Sequence, residues 1–210
     1  MSRAKLIYVD DDPEDIIYFN DFVDGYFNLE SIRINNDSVL EDVVDEILNA
    51  PPDAIVTDFM LNEKATVGFN GQALVSMLQQ RNKHLPCFLL TSHAPDALHA
   101  THDARIVQAK AAVMGGNEEL TVLFRSQIQK VIADYRINLD NAEAELDALL
   151  EIPLEKMDAH QRERAVELDT YIEEHGLGSH PLPMEIKSER SIEMLTKLLH
   201  QVDDLLKKNA

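Results

Sequence analysis

Between Leu6 and Tyr135, short apolar runs alternate with helix-length amphipathic segments five times. No other feature limits the fold as tightly. A run of four to six apolar residues is too short for a core helix and suits a strand covered on both faces. Strands that alternate with helices form a parallel sheet with right-handed crossovers. The runs are residues 6–9, 29–34, 53–58, 86–91 and a short one around 105–109. The first helix opens at Asp12, with Pro13, Glu14 and Asp15 suited to its first turn and Gly25 as its stop. Its expected apolar face is Ile16, Ile17, Phe19, Phe22 and Val23. Asp37 or Ser38 is expected to cap a helix carrying Leu40, Val43, Val44, Ile47 and Leu48, which Pro51 and Pro52 break. Residues 72–80 read as a helix with Leu74, Val75 and Leu78 inward, and a short segment carries Ala97 and Leu98. Residues 118–135 read as a long helix with Leu120, Leu123, Phe124, Ile128 and Val131 inward. The expected fold is α/β: a doubly wound five-stranded parallel sheet over residues 1–136, followed by an α-helical extension over 137–210. The extension reads as helices at 138–152, 158–175 and 188–208, separated by Pro153 and the stretch 176–183.

Composition narrows the class. Hydrophobic residues make up 45% of 210, enough for a real core. The 38 acidic and 19 basic side chains give a formal net charge of -19. That field repels nucleic acid and anionic membrane, whose binding leans on Lys and Arg. The extension alone carries 17 acidic against 8 basic side chains and no basic recognition helix. Neither DNA nor membrane is an expected partner. No apolar stretch approaches the roughly 20 residues that span a bilayer, and residues 6–9 are too short for a signal-peptide core. One cysteine, Cys87, precludes an internal disulfide and fits a reducing compartment, so a cytoplasmic protein is expected. Cys87 itself lies in an apolar run and reads as a small buried hydrophobe.

In a doubly wound sheet, ligands bind beyond the carboxyl ends of the strands, near the switch in strand order. The first strand ends on Asp10 and Asp11, the third on Asp58 and the fourth on Thr91. Such a sheet gathers three carboxylates and a hydroxyl at one edge. Clustered carboxylates repel unless a cation joins them. Hard oxygen ligands with room for water favour Mg²⁺. A carboxylate held beside such a cation can attack a phosphoryl group in line. The plainer alternative is that these acids cap helix N-termini, which Asp12 fits best.

Residues 6–13 resemble the opening of response-regulator receiver domains. Residues 52–61 resemble their phosphoacceptor strand, and residues 85–92 their fourth strand with its switch hydroxyl. The resemblance spans residues 4–135 and implies a flavodoxin-like receiver fold with the phosphoryl group on Asp58. It implies that Asp11 binds Mg²⁺ directly, Asp10 largely through water, and that the Met60 carbonyl completes the protein ligands beside Asp58. Thr91 would donate a hydrogen bond to the phosphoryl group, Ser92 would leave it room, and Lys110 would pair with its oxygens. A histidine kinase or phosphotransfer protein would be the donor, and output would pass to a downstream protein that the sequence does not name.

The chain departs from that pattern in two places. Lys110 follows a strand-like run at 106–109, but a strand at 111–114 is the other register and would leave no lysine. In either register the proline that usually follows the lysine is absent, as is an aromatic switch residue before it. Residues 62–67 read as an insertion at the rim of the site, which drift alone tolerates cheaply. His93, His99 and His102 do not share one helical face and carry no zinc pattern. His160, His175, His180 and His200 lack the flanks of a phosphotransfer histidine. The extension has apolar stripes at Leu139, Ala142, Leu146 and Leu149, and at Leu195, Leu198, Leu199, Val202, Leu205 and Leu206. They read as packing faces, or more sharply as a docking or homodimer face over residues 185–208. Two other functions compete. One is a haloacid-dehalogenase-like phosphatase using Asp10, although Glu14 stands where Thr or Val is expected. The other is a pseudo-receiver scaffold that takes no phosphate.

Overall fold

A computed structural model of the chain describes residues 3–101, 103–153 and 156–176. Five strands form one parallel sheet: β1 (Lys5–Asp10), β2 (Asn28–Arg33), β3 (Ala54–Asp58), β4 (Cys87–Thr91) and β5 (Val107–Ala109). Their order is β2-β1-β3-β4-β5. The chain leaves β1 for β2 on one side and returns to β3 on the other. The switch point therefore lies between the carboxyl ends of β1 and β3, where Asp10, Asp11 and Asp58 stand. A single 3₁₀ turn at Ala104–Ile106 leads into β5, and another at Lys110–Ala112 follows it. Residues 111–114 form no strand, so the chain takes the register in which Lys110 directly follows β5.

The sheet is buried on both faces because its strands alternate with helices α1 (Pro13–Val23), α2 (Leu40–Asn49), α3 (Gly71–Arg81), α4 (Ala94–Ala100) and α5 (Glu118–Leu150). Side chains two apart share a face. Leu6, Tyr8, Ala54, Val56, Phe88 and Leu90 pack with Phe19 and Phe22 of α1 and Phe124, Ile128 and Ile132 of α5. Ile7, Val9, Ile55 and Leu89 pack with Val43, Val44 and Ile47 of α2 and Leu74, Val75 and Leu78 of α3. Cys87 belongs to this second layer, and burial pushes its thiol up to about 12. Asp10 and Asp58 continue the alternation of the first layer, so they point toward the α1 side at the sheet's edge.

Several local expectations are corrected. The cap of α2 is Val39, which makes no side-chain cap bond; the Ser38 hydroxyl accepts from the Asn35 amide at 3.0 Å instead. Ile17 is 62% exposed, because it lies on the face of α1 opposite the buried stripe of Phe19, Phe22 and Val23. Leu120 and Leu123 are exposed, since the buried stripe of α5 runs at four-residue spacing through Phe124, Ile128 and Ile132. Residues 118–135 and 138–152 are not separate helices. With no Gly or Pro from Glu118 to Leu150, nothing stops the helix until it nears Pro153.

The chain divides into compact units between Ile137 and Asn138. In the second, α6 (Ala159–Glu173) starts with a capping box in which Asp158 and Gln161 exchange bonds. Ala142, Leu146, Met157, Ala165, Val166, Leu168 and Ile172 form its core, so the stripe at Leu139–Leu149 spacing faces α6. The expected helix at 188–208, its stripe, and the histidines His102, His180 and His200 lie outside the described residues. No described helix is long and apolar enough to cross a membrane.

Candidate functional site

The carboxyl edge of the sheet collects Asp10, Asp11, Asp58, Thr91 and Lys110, all buried. One oxygen from each of Asp10, Asp11 and Asp58 lies within 4.8 Å of the others, the one such acidic group among the described residues. Lys110 is the cation among them. Its Nζ lies 2.8 Å from Asp58 Oδ1, 2.5 Å from Asp15 Oδ2 and 3.6 Å from Asp10 Oδ2. The amide of Met60 donates to Asp58 Oδ2 at 2.9 Å. The Asp12 amide donates to Asp10 Oδ1 at 2.9 Å, and the Tyr8 hydroxyl donates to Asp10 Oδ2. Asp12 itself caps α1, accepting from the Glu14 amide.

Burial sets the electrostatics. It pushes Asp10 up to about 6, with the neighbouring Asp58 charge adding to the shift against Tyr8, the Asp12 amide and Lys110. It also raises Asp58, against the opposing pull of Lys110. Burial works against the Lys110 cation, but Asp58, Asp15 and Asp10 outweigh it, so its affinity for its proton is raised and it stays charged. Burial and then Asp10 raise Tyr8, which stays a phenol able to donate. Buried carboxylates under this strain suit a hard cation. Asp10, Asp11 and Asp58 supply the oxygen donors that Mg²⁺ takes, and a divalent charge would relieve their repulsion.

The rim segment at 62–67 is part of this site. The amides of Lys64 and Ala65 both donate to Asp11 Oδ2, at 2.5 and 3.0 Å. The segment is anchored below by Leu61 and Ala65 in the sheet's α2–α3 layer and at its side by the Thr66 amide on Asn36 Oδ1. Lys64 Nζ stands 3.6 Å from Asp12 Oδ2. Beneath Asp58, the backbone of α3 comes so close that a Cβ on Gly71 would lie 2.0 Å from the Asp58 carbonyl oxygen. Thr91 ends β4 one residue past Leu90, the partner of Asp58, and its Oγ1 accepts from the His93 amide at 2.8 Å. Ser92, His93 and His99 are exposed. His175 is buried and bonds the Tyr171 carbonyl through Nδ1.

The sequence pointed to every acid of the cluster and to Lys110. It did not point to Tyr8, Asp15, Gly71 or the paired amides of Lys64 and Ala65. A tyrosine in an apolar run signals only core, and Asp15 signals only a helix dipole. Gly71 reads in the sequence only as a loop glycine before the helix expected at 72–80.

No family model matches the sequence, and no curated protein matches it. Solved structures do. An adenylate cyclase from Rhodopirellula baltica is 14% identical at a TM-score of 0.50, covering 68% of this chain and 96% of that one. The apo receiver domain of nitrogen regulatory protein C is 18% identical at 0.49, covering 65% and 99%. A response regulator receiver protein from Sinorhizobium medicae WSM419 is 12% identical at 0.49, covering 63% and 97%. Identities this low speak to fold alone. With its parallel order β2-β1-β3-β4-β5, the first unit has a flavodoxin-like, doubly wound fold, and a helical extension follows it.

Proposed function

We infer that the chain is a response regulator that accepts a phosphoryl group on Asp58. The observation that carries this reading is the Asp58 carboxylate, 2.8 Å from the Lys110 ammonium and grouped with Asp10 and Asp11 at the switch point of the sheet. A lone pair on an Asp58 oxygen forms the bond to phosphorus. The bond from phosphorus to the donor's nitrogen or oxygen breaks, and that leaving atom keeps the electron pair. Lys110 pairs with oxygens of the arriving group. Thr91 Oγ1 uses a lone pair on the His93 amide, which leaves its own proton to donate to the same group. Asp11 would hold Mg²⁺ directly, Asp10 through water, with Asp58 and the Met60 carbonyl completing the protein's donors. When bound, the cation supplies charge neutralisation for the oxygens of the group in transfer. The donor is a histidine kinase or phosphotransfer protein, the setting is cytoplasmic, and the output is a protein–protein contact.

The test is incubation of the full chain with acetyl phosphate and Mg²⁺, read by mass spectrometry. The expected result is an adduct of about +80 Da, one phosphoryl group, on Asp58, absent from Asp58→Asn while that variant stays folded. Equal labelling of Asp58→Asn would refute the assignment. Donor turnover that depends on Asp10 instead would favour the phosphatase, and neither adduct nor turnover would favour a scaffold.

A further inference from the structure

Lys110 has one ammonium and three carboxylates within reach. Its two short contacts are to Asp15 Oδ2 at 2.5 Å and Asp58 Oδ1 at 2.8 Å. The side chains of Lys110 and Asp15 are 10% and 14% exposed, so solvent screens their contact weakly. Asp15 sits in the first turn of α1, where a carboxylate favours the helix dipole. That role does not require burial, since Glu14 in the same turn is exposed. Asp15 instead reaches across 95 positions of sequence to the lysine beside the phosphoacceptor.

We propose that Asp15 is a positioning residue that restrains Lys110 in the resting site and thereby slows the reaction of Asp58 with anionic phosphodonors. The proposal rests on the reading of Asp58 as phosphoacceptor. An ammonium has three protons to donate, and here two of its close partners are already carboxylates. A phosphoryl group brings up to about two negative charges. It must share the ammonium with Asp15, whose charge repels it at close range and low screening. Replacing Asp15 by asparagine keeps an acceptor oxygen for Lys110 and removes the charge. Lys110 then keeps its place, while more of its field is free for the incoming group. The transfer itself is unchanged: Asp58 gains the phosphoryl group and acetate leaves acetyl phosphate with the electron pair of the broken bond.

The experiment compares wild type, Asp15→Asn and Asp15→Glu, all full length with Mg²⁺. Two rates are read from intact mass: labelling by acetyl phosphate, which is dianionic at neutral pH, and by the less negative phosphoramidate. Asp15→Asn is expected to label faster with acetyl phosphate, on the order of tenfold, with a smaller gain for phosphoramidate. Asp15→Glu is expected to return toward wild type. An effect on folding alone would not sort donors by charge. If Asp15→Asn melts well below wild type, Asp15→Ala is read for the same contrast. Wild type that takes no label on Asp58 overturns the phosphoacceptor reading and this proposal with it. Wild type that labels while the charge-removing variant gains nothing, or gains equally with both donors, overturns the proposal alone.

Discussion

Gly71 is the residue on which the geometry around Asp58 has least slack. An added Cβ would sit 2.0 Å from the Asp58 carbonyl oxygen, a backbone atom that no rotamer change can move. Gly71→Ala is therefore expected to cost about 2 kcal/mol or more, as overpacking a rigid contact does, and to slow labelling of Asp58. Urea unfolding and the labelling rate check this, and an unchanged midpoint with unchanged labelling would count against it. The contact also marks the limit of the sequence. Asp10, Asp11 and Asp58 were legible because each follows a short apolar run, and a strand's end fixes where its last side chain lies. Lys110 was legible only as one of two registers, because β5 is three residues long and its flanks are 3₁₀ turns rather than strand. Gly71 and Asp15 act through groups remote in sequence, which leave no local pattern, and Tyr8, although it reaches Asp10 only two residues away on the same strand face, stands in an apolar run that signals core.

At the scale of elements, the rim segment at 62–67 does more than lengthen a loop. Two of its amides are spent on one oxygen of Asp11. Hydrogen bonds to a charged acceptor contribute roughly 1.5–3 kcal/mol. The Lys64 and Ala65 amides are expected to exchange slowly in wild type and roughly ten- to a hundredfold faster in Asp11→Ala. Hydrogen exchange resolved to single amides decides it, and equal protection in the two proteins would mean that the segment is held by Leu61 and Ala65 packing and the Thr66 amide on Asn36. Sequence reading saw an insertion here and no more, because the bonds come from the backbone, whose donors every residue carries. The long helix α5 was misread for a related reason. The strands stop near Arg136, which looked like a boundary, but a helix ends where a stop residue or a cap ends it, and 118–150 holds neither glycine nor proline.

At the scale of the whole molecule, the two compact units have separate apolar cores. The sheet's cores draw on α5 no further than Ile132, and the second core begins beyond Ile137. A chain ending at Ile137 is expected to unfold cooperatively and to keep a rise in melting temperature on adding millimolar-scale Mg²⁺, a rise that Asp11→Asn should lose in both the shortened and the full chain. Melting curves with and without Mg²⁺ settle the point, and a shortened chain that shows no cooperative transition would sink it. Cys87, last, gives the molecule a practical property. It is the single thiol of 210 residues, it lies within the sheet, and burial pushes it up to about 12, so at neutral and mildly alkaline pH it stays a protonated thiol. Maleimide is expected to leave the folded protein unlabelled and to react fully once urea unfolds it. A cysteine introduced at an exposed position such as Leu98 would then be the one reactive handle, and a spin label or fluorophore could be placed there with the native sequence otherwise intact.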